Sequence, residues 1–163
     1  MDLPLLHPDT LKDLSPLEEV FNLSREGGSA EAQTALQVLT AFWGNKDSFP
    51  FIFRIIDESF NYPLRLLAVQ QLIHKIKTFW PSFSPEDRTR AYELALHSIF
   101  PDVIEGLLGD LLTDALSYII IFQCSEGDPM LLQDVLNQYS TNELVHNRVL
   151  VLIKNLTGIM RER

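Results

Sequence analysis

Pro63-Leu-Arg-Leu-Leu-Ala-Val-Gln-Gln-Leu-Ile-His-Lys-Ile-Lys-Thr-Phe-Trp80-Pro81 decides the fold. At about 100° per residue, Leu64, Ala68, Leu72, Ile76, Phe79 and Trp80 fall together on a helix wheel. Leu66, Val69 and Ile73 widen that side to an apolar arc of roughly 200°. A surface helix of a small globule needs about half as much, so this helix is expected to have neighbours on three sides. Gln70, Gln71, His74, Lys77 and Thr78 occupy the remaining strip. Arg65 stands inside the apolar arc at the first turn, either snorkelling from the helix end or clamping a loop carbonyl or an acid of an adjacent element.

Helix starts and breaks recur on both sides of this stretch. Ser15-Pro16, Ser29, Ser48 and Ser84-Pro85 read as caps, with acids in the following turn at Glu18, Glu19, Glu86 and Asp87. Gly27-Gly28, Gly44-Asn45, Asn61-Tyr62-Pro63, Pro81 and Gly127-Asp128-Pro129 break the pattern. Eight helices result. Phe49–Ile56 is the ambiguous run, dense enough in apolar residues for a buried strand. It reads as helix because its neighbours are helices and no partner strand is visible. First helices begin near Pro16, Ser48, Ser84 and Pro129, 32, 36 and 45 residues apart. Two helices per unit at a drifting period near ~40 is the signature of HEAT-type arrays. The expected fold is an all-α, right-handed α-solenoid of about four antiparallel pairs, one array over 1–163 with approximate repeats 16–43, 48–80, 84–124 and 128–161. A four-helix bundle or two stacked hairpins would give similar segments.

Each long helix keeps one narrow polar strip. In the second helix Ala32, Leu36, Leu39 and Trp43 are expected to face in, with Gln33 and Gln37 facing out. In the helix Pro101–Cys124, Leu107, Leu108, Leu111, Leu112, Ala115, Ile119 and Phe122 form the apolar side. Gly106, Gly109, Asp110, Thr113, Asp114 and Ser117 line the other. Asp110 and Asp114 form either a solvated acidic face or a docking strip for a partner's cations. In the last helix Val145, Val149, Leu152, Leu156 and Ile159 read as buried, and Asn147, Lys154 and Arg161 as open. Its run Val149-Leu-Val-Leu-Ile153 implies that a further repeat or a second copy covers Leu150 and Val151. If the pairs stack, the strips align as one concave surface.

Composition narrows the function. Among 163 residues, 13 Lys and Arg stand against 22 Asp and Glu, a net charge of −9. That balance argues against a nucleic-acid partner and for a basic protein partner. The single cysteine, Cys124, precludes an internal disulfide and any multi-cysteine zinc site. Met1-Asp2-Leu3-Pro4 lacks the basic start of a signal peptide. Leu116–Cys124 reads as too short to span a bilayer, with Glu105, Asp110 and Asp114 blocking its extension, so no membrane insertion is expected. No phosphate loop, histidine–carboxylate motif or nucleophile elbow is present. Neither catalysis, nor a cofactor, nor a metal site is expected.

Pro63–Pro81 resembles the second repeat of importin-β-type transport receptors, the karyopherins. Arg65, Ala68, Gln71, Leu72, Ile76, Lys77 and Trp80 match that family's pattern in register. The preceding Phe-Pro helix matches too, as does Pro85-Glu-Asp-Arg88. The likeness is to the importin-seven/eight and Cse-one/exportin-like branches and covers about Ala30–Phe100. Ile73-His74 stands where the family carries Lys-Asn, and Glu126-Gly127-Asp128-Pro129 replaces its later aromatic-Pro and Trp signature. Family members are several times longer, so the chain is expected to be an N-terminal piece or a reduced relative. The resemblance implies a receptor that shuttles between cytoplasm and nucleus. Its inner helices would bind Ran in the GTP form, its outer crevices Phe-Gly nucleoporins, and the receptor would carry protein cargo. The implied contact residues are Gln33, Gln37, Gln70, His74, Lys77, Asp110, Asp114 and Asn147. A HEAT scaffold without GTPase dependence is the alternative.

Overall fold

The computed structural model describes residues 6–9, 11–96, 106–139 and 143–162. The side chains of 130, 131, 134, 138, 139, 143–148 and 162 lie outside that description. The described elements are all helical, with no strand among the described residues. They are α1 (Ser15–Ser24), α2 (Ala30–Gly44), α3 (Phe49–Glu58), α4 (Tyr62–Phe79), α5 (Pro85–Leu96), α6 (Gly106–Ser125), α7 (Met130–Tyr139) and α8 (Glu143–Glu162). Single 3-10 turns, Lys46–Ser48 and Trp80–Ser82, precede α3 and follow α4. The ambiguous run Phe49–Ile56 is helical.

The caps follow the sequence in part. The Ala32 N–H donates to Ser29 Oγ at 3.0 Å, and the Asp87 N–H to Ser84 Oγ at 3.1 Å. Ser15 and Ser48 do not cap. Ser15 is already helical, and its N–H donates to Asp13 Oδ1 at 2.9 Å. Ser48 is buried and donates its hydroxyl to Asn45 O at 2.6 Å. Its preceding residues form a 3-10 turn, so no extended residue stands before α3 to aim a side-chain acceptor at the helix. At α4 the Leu64 N–H donates to Asn61 Oδ1 at 3.2 Å.

The chain divides into two compact units, Met1–Ala68 and Val69–Arg163. In the first, α1 packs on α2, burying Leu17, Val20 and Phe21 with Ala35 and Leu39. Phe42 of α2 meets Phe51 of α3 edge to face, 5.9 Å between ring centroids. Arg65 settles as a clamp: its Nε donates to Ile56 O at 2.9 Å and satisfies a carbonyl in the last turn of α3.

In the second unit α6 is central and packs against α5, α7 and α8. Its C-terminus closes as a Schellman motif, with the Asp128 N–H on Gln123 O and the Gly127 N–H on Cys124 O, both at 3.0 Å. Gly127 takes φ +89°, a conformation that strains L residues. The turn places Glu126 against Arg88 of α5 in a two-pronged ion pair at 2.7 and 3.3 Å. By length and composition alone α6 could cross a membrane: its 20 residues span ~30 Å, and Asp110 and Asp114 do not exclude it. Its apolar side chains, Leu108, Leu112, Leu116, Ile119 and Ile120 among them, are buried inside the protein.

Several burial expectations fail. Leu36, Phe79 and Leu107 are exposed rather than inside. Gly109, Thr113 and Ser117 are buried rather than on the polar strip. The two hydroxyls satisfy themselves on the helix: Thr113 Oγ1 donates to Gly109 O at 2.8 Å and Ser117 Oγ to Thr113 O at 2.9 Å. That removes most of the cost of burying them, and their small volume allows close helix approach.

Candidate interaction surface

The second unit brings the C-terminal half of α4 against α6, and α6 against α8. Lys77 Nζ lies 5.0 Å from the Tyr118 ring centroid, a cation–π contact between α4 and α6. One turn before Tyr118, Asp114 Oδ1 accepts from Asn155 Nδ2 of α8 at 2.8 Å. The three helices border an open cleft of about 440 Å³ lined by Ile73, Asp114, Tyr118, Lys154, Asn155, Gly158 and Ile159.

Asp114 is half-buried, and its carboxyl is held above the usual range, first by desolvation and then by the negative charge of Asp110. The same physics lowers the half-buried Lys75 ammonium. A carboxyl with a higher pKa folded than unfolded takes up a proton on folding. Its contribution to stability is therefore present below the unfolded pKa and lost as pH rises through the folded one. Asp114→Asn is expected to flatten this part of the pH–stability curve just above the ordinary carboxylate range. It should also raise stability at neutral pH relative to the parent, because the amide oxygen still accepts from Asn155. Urea melts across pH 4 to 7 (about three pH units) check this; a variant curve parallel to the parent's would remove the assignment.

Of the residues expected on the partner surface, Gln70, His74, Lys77 and Asp110 are exposed, and Asp114 is half-buried. Lys77 lies over Tyr118, which lines the same cleft as Asp114. Gln33 and Gln37 are exposed on α2, in the first unit. The Asn147 side chain lies outside the described residues. Tyr118 and Asn155 escaped the sequence reading. Tyr118 stands four residues after Asp114 and shares its strip, a spacing that was available. Asn155 carries no local signal, since its role depends on α8 meeting α6. Among the described residues no three of His, Cys, Asp and Glu converge to hold a metal ion.

No family model matches the chain, and no curated protein and no solved structure matches it.

Proposed function

We propose that this chain is a protein-interaction module built as a right-handed HEAT-type array, whose second helices carry the partner surface. The supporting observation is that α6 meets the C-terminal half of α4 through Lys77 with Tyr118, and meets α8 through Asp114 with Asn155. In an array of pairs, second helices stack on second helices in this way. The karyopherin resemblance supplies the partner: Ran in its GTP form, bound through Gln70, His74, Lys77, Asp110 and Asp114; Gln33, Gln37 and Asn147 are further contacts that the resemblance implies. On that reading the protein shuttles between cytoplasm and nucleus, contacts Phe-Gly nucleoporins at crevices between first helices, and takes part in carrying protein cargo.

The competing reading is a scaffold indifferent to nucleotide. It draws on Ile73-His74, which replaces the family's Lys-Asn; Ile73 offers the cleft no hydrogen bond. Calorimetric titration with Ran in both nucleotide states separates the two. Binding of the GTP form on the order of micromolar is expected, since a short array buries less surface than a full receptor. Equal affinity for both states, or none at about 100 μM, would assign the scaffold.

A further inference from the structure

The outward face of α8 carries a second surface, which shares Lys154 with the cleft beside Asp114. Leu150, Ile153 and Met160 are 52%, 43% and 67% exposed, and Thr157 between them is exposed as well. Their spacing is three, four and three residues, the a/d spacing of a helix that pairs with another helix. Lys154 and Arg161, seven residues apart and both exposed, flank this seam on one side. On the other side Met160 borders an apolar crevice of about 420 Å³ walled by Ile121, Leu132 and Leu156. Val151 adds exposed apolar surface beyond the two cations. Three exposed apolar side chains on one helix face, the last at a crevice, are more than the single scattered exposure usual on a monomer.

We propose that this face docks an amphipathic helix of a partner protein, with apolar residues at a/d spacing and carboxylates on the flank that meets Lys154 and Arg161. The charges select that occupant. Antiparallel pairing with a second copy would bring Lys154 towards Arg161 of the copy, a like-charge contact, between two chains that each carry −9 overall. An acidic flank places opposite charge at both positions, and local charges outweigh the distant net charge beyond a Debye length of about 10 Å. The apolar seam supplies the contact area, and the crevice beside Met160 receives a terminal side chain, in the helix-in-groove manner.

The test is a fluorescence-anisotropy titration of the intact chain with a labelled three-heptad synthetic helix. Its seam positions are leucine and its flanks glutamate; a second peptide carries lysine on the flanks. The glutamate peptide is expected to bind at about 10–100 μM and the lysine peptide at least about ten-fold more weakly. The difference should shrink between about 50 and about 500 mM salt. Leu150→Ser with Ile153→Ser should abolish binding, while leaving the Ran titration unchanged, so the two surfaces fail or succeed separately. Lys154→Glu with Arg161→Glu should switch the preference to the lysine peptide, with circular dichroism unaltered. Equal affinity for both peptides, no binding of either, or a preference that survives the charge swap would overturn the proposal. So would a sedimentation dimer lost in the serine variant, which would give the face to a second copy.

Discussion

Trp80→Ala is expected to cost about 3–5 kcal/mol of folding stability. The indole follows α4 in a 3-10 turn and has no solvent exposure. It stacks on Phe122 of α6 at 6.5 Å and lies tilted against Phe83 at 5.3 Å. The Arg88 guanidinium sits 5.0 Å from its ring, and Arg88 Nη2 donates to Trp80 O at 3.1 Å. Truncation would therefore leave a cavity where α4, α5 and α6 converge, and would strip the half-buried guanidinium of its ring partner. Trp80→Phe is expected to cost less than about half as much. The smaller ring leaves a smaller void, and it discards an indole Nε1–H that is buried without a hydrogen-bond partner. Chemical denaturation followed by far-UV circular dichroism measures both. A loss below about 1 kcal/mol for the alanine variant would mean that the site collapses or that the ring is not part of the core.

Asp110→Lys with Asp114→Lys is expected to weaken partner binding by about 1–3 kcal/mol, roughly 5- to 150-fold, if both carboxylates meet cations. The two acids stand one turn apart, and burial first, then the negative charge of Asp110, holds the Asp114 carboxyl above its usual range. A cationic side chain arriving between them relieves that repulsion. The proton affinity of Asp114 should then fall on binding, so affinity should rise with pH through the Asp114 titration and fall with salt. Asp114→Asn separates charge from architecture, because it keeps an acceptor for Asn155 and loses only the charge. Calorimetry of the parent, the asparagine variant and the double reversal, each with its own stability curve, reads this directly. A double reversal that binds as tightly as the parent would move the partner surface elsewhere.

The helices and their order were legible from local chemistry. Ser29 and Ser84 cap because a short side-chain oxygen next to an apolar periodic run satisfies otherwise orphaned N–H groups, and that chemistry is complete within four residues. The wide arc of α4 is likewise a property of spacing. Leu64, Ala68, Val69, Leu72, Ile76 and Trp80 are all buried as the wheel required. The exposed polar strip, Gln70, His74 and Lys77, follows from the same periodicity.

What tertiary structure decided is which neighbour each side meets. Arg65 had two fates of equal standing by sequence, and the nearby end of α3 selected one. Thr113 and Ser117 share residue class with solvent-facing groups, yet they are buried because other helices pack on α6, and their hydroxyls bond the preceding turn, which offsets the cost. Leu36, Phe79 and Leu107 are apolar and exposed, because a wheel gives direction but not whether any element stands there. The junction of Asp114 with Asn155 spans 41 residues of chain. Periodicity reports only the faces of one helix, whereas that contact depends on packing between two.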